Sequence, residues 1–85
     1  MELKETIKMM DNADYKERFK AEYYQTAIRF HKLKDMLDKW DKGVLDFTPT
    51  CPRCIYKYQL DAMDKYLDML EIRAKLENIE LGGEE

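Results

Sequence analysis

The sequence predicts an all-α protein: an antiparallel helical hairpin with a short N-terminal helix, assembled into a homo-oligomeric bundle. Three observations carry this. The 85 residues are 45% hydrophobic and 39% charged, with three Gly and two Pro, a composition rich in helix formers. Two long stretches repeat their apolar residues at heptad spacing, and punctuation residues separate them. Finally, a chain this short buries a thin core, so oligomerisation is a common remedy.

Leu3, Ile7 and Met10 recur at i, i+4 and i+7 and predict a short helix within residues 1–13. "DNAD" interrupts it. Asp14 followed by Glu17 has the form of a capping box, so a second helix should begin near Tyr15. Phe19, Tyr23, Thr26, Phe30, Leu33, Leu37 and Trp40 then form a heptad seam with one polar position. Tyr24, Ala27, Ile28 and Met36 widen it. Gly43 is placed to end this helix, about 15–42, with a left-handed cap.

Val44, Leu45 and Phe47 are too apolar for a freely solvated loop and are expected to fold over the end of the helix pair. Pro52 fits the first position of the next helix, about 52–80. Tyr56, Leu60, Met63, Leu67, Leu70 and Ala74 give its seam. Ala62, Tyr66, Met69, Arg73 and Leu76 make a neighbouring stripe. The two helices match in length, and the short connection makes residues 14–81 an antiparallel hairpin. Residues 82–85, "GGEE", read as a disordered tail.

The net charge is −3. Residues 14–42 carry a balance of +2, residues 43–85 one of −4, and residues 1–13 the remaining −1. Duplex DNA binding wants a strong basic excess, which is missing. No apolar run approaches the roughly 20 residues of a membrane span. "MELKETIKMMDNAD" has no apolar stretch of signal-peptide type, so the expected compartment is a reducing cytoplasm.

"TPTCPRCIYKY" contains the one CxxC, Cys51 and Cys54. Structural zinc takes four ligands, and the single His31 lies mid-helix, far from the hairpin tip. One chain therefore closes no zinc site; two chains meeting tip to tip would supply four thiolates. The plain reading is a helix start with a buried thiol. Neither a nucleophile–base pair nor a Gly-rich phosphate loop is present, so no catalysis and no cofactor are expected.

Six tyrosines and six methionines exceed what one seam hides. Tyr23 and Tyr24 point in different directions, as do Tyr56 and Tyr58, so another protomer is the expected cover. Arg73 sits within an apolar stripe. Either it pairs with a carboxylate, such as Glu22 or Asp38, or it binds an anion beside stacking tyrosines. The candidate ligand-binding residues are Arg73, Tyr66, Gln59, Arg29, Tyr23 and Tyr24.

The stretches "DYKERFKAEYYQTAIRFHKL", "LDFTPTCP" and "QLDAMDKYLDMLEIRAKLENIEL" resemble a group of small accessory proteins of tailed bacteriophages and prophages, some named for a relation to crAss-like phages. The resemblance covers about residues 14–81. It rests on Asp14-Tyr15, Arg18, Leu45-Asp46-Phe47, Cys51-Pro52, Gln59, Ala62-Met63, Tyr66-Leu67, Leu70-Glu71 and Arg73-Ala74. In the group, a cysteine is usual at the place of Cys51 and not at that of Cys54, which argues against a shared metal site. The resemblance implies a helical hairpin and, by analogy, action against host defence. One expectation is a sponge for a cyclic nucleotide or ADP-ribose-type signal held between subunits. Another is an inhibitor or adaptor that binds a host defence protein, and a third is a structural oligomerisation module.

Overall fold

The computed structural model describes residues 1–82. Those residues are helical with no strand: a 3-10 turn (Leu3–Thr6) runs into α1 (Ile7–Met10), followed by α2 (Tyr15–Asp41) and α3 (Arg53–Leu76). None of these helices is long and apolar enough to cross a membrane.

The N-terminal segment packs through a different face from the one its spacing predicts. Thr6 is fully buried and Leu3 and Met9 are half-buried, while Ile7 and Met10 are exposed. The reason is the 3-10 start. Three residues per turn line up positions i and i+3, so Leu3, Thr6 and Met9 share a face. Thr6 Oγ1 donates to Leu3 O at 2.7 Å and accepts from Gln25 Nε2 at 2.9 Å, so the buried hydroxyl is satisfied and α2 is tied to the segment.

Asp14 caps α2 as expected, its carboxylate accepting from Lys16 N at 3.0 Å rather than from the following N–H. Glu17 does not reach back to complete the box; its carboxylate sits 3.0 Å from Lys20 Nζ. That contact is the leading reason the Lys20 pKa is raised. Arg18 Nη1 secures the linker by donating to Asn12 O and Ala13 O at 2.7 and 2.8 Å. At the other end Gly43 adopts φ +73°, and Val44 N donates to Lys39 O at 3.0 Å. This satisfies a terminal carbonyl in the manner of a Schellman cap.

α2 and α3 run antiparallel, and their pairing can be read along their length. Tyr15 Oη donates to Glu77 Oε1 at 3.3 Å, Tyr23 Oη to Glu71 Oε2 at 2.9 Å, and the Trp40 and Tyr56 rings meet edge to face at 6.2 Å. Arg53 closes the tip with two bonds to Asp41, 2.8 and 2.7 Å. The core between them is Phe19, Tyr23, Tyr24, Ala27, Leu67, Leu70, Ala74 and Ile79, with Met9, Phe30 and Leu81 against it. Leu33, Thr26 and Trp40 of the α2 seam are only half-buried. This cluster lies toward the start of α2 and the end of α3, where Met9 of the N-terminal segment and Leu81 beyond α3 pack against it.

Three local expectations change. α3 begins at Arg53, with Pro52 as its cap residue, and ends at Leu76 rather than near Glu80. Asn78 takes φ 56°, which turns the chain so that Ile79 N donates to Ala74 O at 2.8 Å and Ile79 is buried. Asn is among the few residues other than Gly that tolerate this conformation. In the hairpin tip, Leu45 is half-buried, but Val44 and Phe47 are exposed and do not cover the helix ends. Both thiols are exposed, so the buried-thiol reading of the CxxC fails: Cys54 lies in the first turn of α3, on a side with no facing element. Of the expected tail, residues 83–85 lie outside the described residues.

Candidate ligand-binding site

α3 has two apolar faces. One holds Leu60, Leu67, Leu70 and Ala74, all buried against α2. The other holds Ile55, Tyr58, Met69, Ile72 and Leu76, between 48% and 78% exposed, with the small, exposed Ala62 among them. Ile55, Ala62, Met69 and Leu76 are spaced by sevens, as are Tyr58, Lys65 and Ile72. This is a second heptad seam without a partner in the chain.

Gln59, Tyr66 and Arg73 are also spaced by sevens and flank that seam on one side. Seven residues bring a helix nearly two full turns, drifting only about 20°. The three side chains therefore form a line on one face, about 10 Å apart at 1.5 Å per residue. All three are exposed. Together they offer an amide, an aromatic ring and a guanidinium.

Arg73 is not the buried charge its place on an apolar stripe suggests. Its side chain is half exposed, and its Nε donates to Glu77 Oε2 one turn on, at 3.0 Å. Its guanidinium carbon lies 4.8 Å from the centroid of the Phe19 ring. Neither Glu22 nor Asp38 is its partner. Stacking on Phe19 holds the cation in place from below and leaves donors free above, because a guanidinium has five N–H groups and Glu77 takes one.

The other three candidates lie elsewhere. Tyr23 and Tyr24 are core residues, 7% and 5% exposed, with rings edge to face at 5.7 Å. The Tyr23 hydroxyl donates to Glu71, and that of Tyr24 accepts from Gly82 N at 2.6 Å. They support the α3 face from behind and do not line it. Arg29 is exposed on α2. The structure thus assembles Gln59, Tyr66 and Arg73 and separates them from Tyr23, Tyr24 and Arg29.

Clefts occur away from that line. One of about 450 Å³ lies beside the hairpin tip between Lys32, Met36, Lys39 and Phe47. Another of about 340 Å³ lies under the C-terminal segment between Tyr23, Glu71, Ile79 and Leu81. A third, of about 220 Å³, brings His31 near Asp64, Asp68 and Glu71. Among the described residues no three His, Cys, Asp or Glu side chains gather as a metal site, and Cys51 and Cys54 stand as two free thiols.

Sequence reasoning missed Phe19 as the platform for Arg73 and Glu77 as its acceptor. The 4-residue spacing of Arg73 and Glu77 was a usable signal for the second. Phe19 could not be found that way, because its contact depends on how the two helices pair.

A family model described as Sequestin matches residues 13–76, about three-quarters of the chain. The chain belongs to the Sequestin family. The matched region of this Sequestin-family chain runs from the residue before the cap of α2 to the last residue of α3, so it takes in both faces of α3 and the line from Gln59 to Arg73. No curated protein and no solved structure matches it.

Proposed function

We propose that this protein is a non-enzymatic phage accessory protein that acts in the cytoplasm of the bacterial host against its defences. It does so by sequestering a nucleotide-type immune signal at the interfaces between its own subunits. The observation that carries the reading is the exposed line of Gln59, Tyr66 and Arg73 beside an unpartnered apolar seam. Arg73 pairs with a phosphate through charge-assisted hydrogen bonds, Tyr66 offers a ring face to a base, and Gln59 reads a base edge. The family's name is in keeping with a sequestering role.

A single convex helix encloses nothing. A second subunit against the seam turns the exposed line into the wall of a cleft and excludes water from the ion pair, where each hydrogen bond counts for more. Holding a signal without converting it needs no nucleophile and no metal.

The test is a thermal-shift screen against cyclic di- and trinucleotides and ADP-ribose derivatives, with molecular mass measured in parallel. A rise in melting temperature with one nucleotide alone, lost in Arg73→Ala and Tyr66→Ala, is expected. Absence of any response across the screen overturns the reading and favours the alternative, a helical inhibitor or adaptor that docks the same apolar seam on a host protein.

A further inference from the structure

We propose that the outer seam of α3 is where two copies of this chain meet, antiparallel about a two-fold axis beside Tyr66. This deepens the subunit-interface part of the proposed function. It locates the interface and assigns the edge at which both copies contribute to one site.

The occupant is a second copy because the face is complementary to itself when reversed. Along the seam the large side chains Tyr58 and Leu76 stand toward opposite ends, and the small Ala62 lies on the other side of the centre from Ile72. Reversal sets Ala62 against the other copy's Ile72, so small meets large in those two symmetry-related layers, and it sets Tyr58 against its Leu76. A parallel pairing sets Ala62 against Ala62 and leaves a gap.

Charge gives the same answer. Lys65 is the one charged residue in the seam. Parallel pairing brings the two Lys65 ammonium groups into one layer. Antiparallel pairing separates them, lays each stem along Met69 of the other copy, and leaves the ammonium beside Asp68. On the flank, Asp61 toward one end meets Lys75 toward the other, twice by symmetry. Asp61 already holds Lys57 at 2.8 Å within its own helix, so Lys75 extends an existing pair into a network. The two Asp68 carboxylates approach each other at the axis, and the two Lys65 neutralise them.

On the opposite flank the same alignment places Gln59 of each copy against Arg73 of the other and brings the two Tyr66 together at the centre. One edge of the pair then carries two aromatic rings between two guanidiniums, each already stacked on a Phe19. The line on one helix is half of this site.

The experiment is disulfide trapping with light scattering, in a Cys51→Ser, Cys54→Ser background. Ala62→Cys combined with Ile72→Cys is expected to give a covalent dimer under mild oxidation, and Ala62→Cys alone is not. Wild type is expected at a multiple of 10.3 kDa, and Met69→Glu at 10.3 kDa with its helix content unchanged. A wild-type monomer overturns the proposal. So does a covalent dimer from Ala62→Cys alone, which reports parallel pairing. So does an oligomer that Met69→Glu leaves intact, which reports another face. A wild-type monomer that forms a stable complex through this seam only with a host protein also overturns it. The outcomes separate from those of the nucleotide screen: a trapped dimer that no nucleotide stabilises sinks the sponge and leaves the interface standing.

Discussion

The Arg73 guanidinium lies over the Phe19 ring at 4.8 Å, so the cation of α3 rests on an aromatic of α2 that is itself 4% exposed. The ring fixes where the charge sits without consuming its donors. Arg73 is thereby a held but accessible cation.

That placement decides what Arg73→Ala costs. A buried charge stripped from its partner would cost about 3–5 kcal/mol. Here the side chain is half exposed and its carboxylate partner, Glu77, is solvated as well. The expected loss is about 1 kcal/mol, the sum of a modest exposed pair and a cation–π contact. Urea unfolding checks it. A loss above about 3 kcal/mol would show Arg73 to be a structural residue first.

Leu70 is 1% exposed at the centre of the core. Leu70→Ala should destabilise by about 2–5 kcal/mol through lost transfer energy and the cavity left behind. Met69→Ala, one residue away and 55% exposed, should cost an isolated subunit little. Unfolding followed across protein concentrations separates them: the Leu70 effect persists at every concentration, and, on the pairing proposed for the outer face of α3, a Met69 effect grows with protein concentration.

Replacing both Cys51 and Cys54 with Ser should change stability by no more than about 0.5 kcal/mol, because both side chains are exposed. Elemental analysis and thermal unfolding in the presence of a chelator check the metal question. Zinc near one atom per two chains, or dissociation by the chelator, would show that the thiols join subunits.

The Tyr15 pKa is raised above 10.0, first by desolvation where the ring meets the end of α3, then by the Glu77 carboxylate that accepts its hydrogen bond. A raised folded-state value means that the contribution is complete below the unfolded pKa and disappears as pH rises through the folded one. Wild type and Tyr15→Phe should therefore differ constantly in stability up to about pH 10 and converge or cross above it. Ultraviolet titration of tyrosinate with parallel unfolding curves checks this. A difference that first changes near neutral pH would assign the effect to another group.

How much of this was legible in the chain differs by feature. The caps of α2 were, because Asp14 and Gly43 act on their own backbone neighbours. The end of α3 was not: Ile79 and Leu81 look like a continuing helix, and Asn78 bends the chain only because a core is there to receive Ile79. Of the candidate site, Gln59, Tyr66 and Arg73 were legible as a heptad line. Their separation from Tyr23 and Tyr24 was not, since neighbouring residues on a helix give no sign of which side another helix will cover.

By itself, then, the sequence determined what depends on neighbours a few residues apart: two long helices, where the first begins and ends, and two apolar stripes on α3. Only the tertiary structure decided how deeply each position of the expected seam was buried, because the full burial of Leu60, Leu67, Leu70 and Ala74, with Tyr56 and Met63 left half-buried, depends on the face that α2 presents. The same pairing brought Phe19 under Arg73 and Glu71 to the Tyr23 hydroxyl across 54 and 48 residues of chain. Local hydrogen bonding and periodicity carry no information across such separations; packing does, since one helix face can be filled only once.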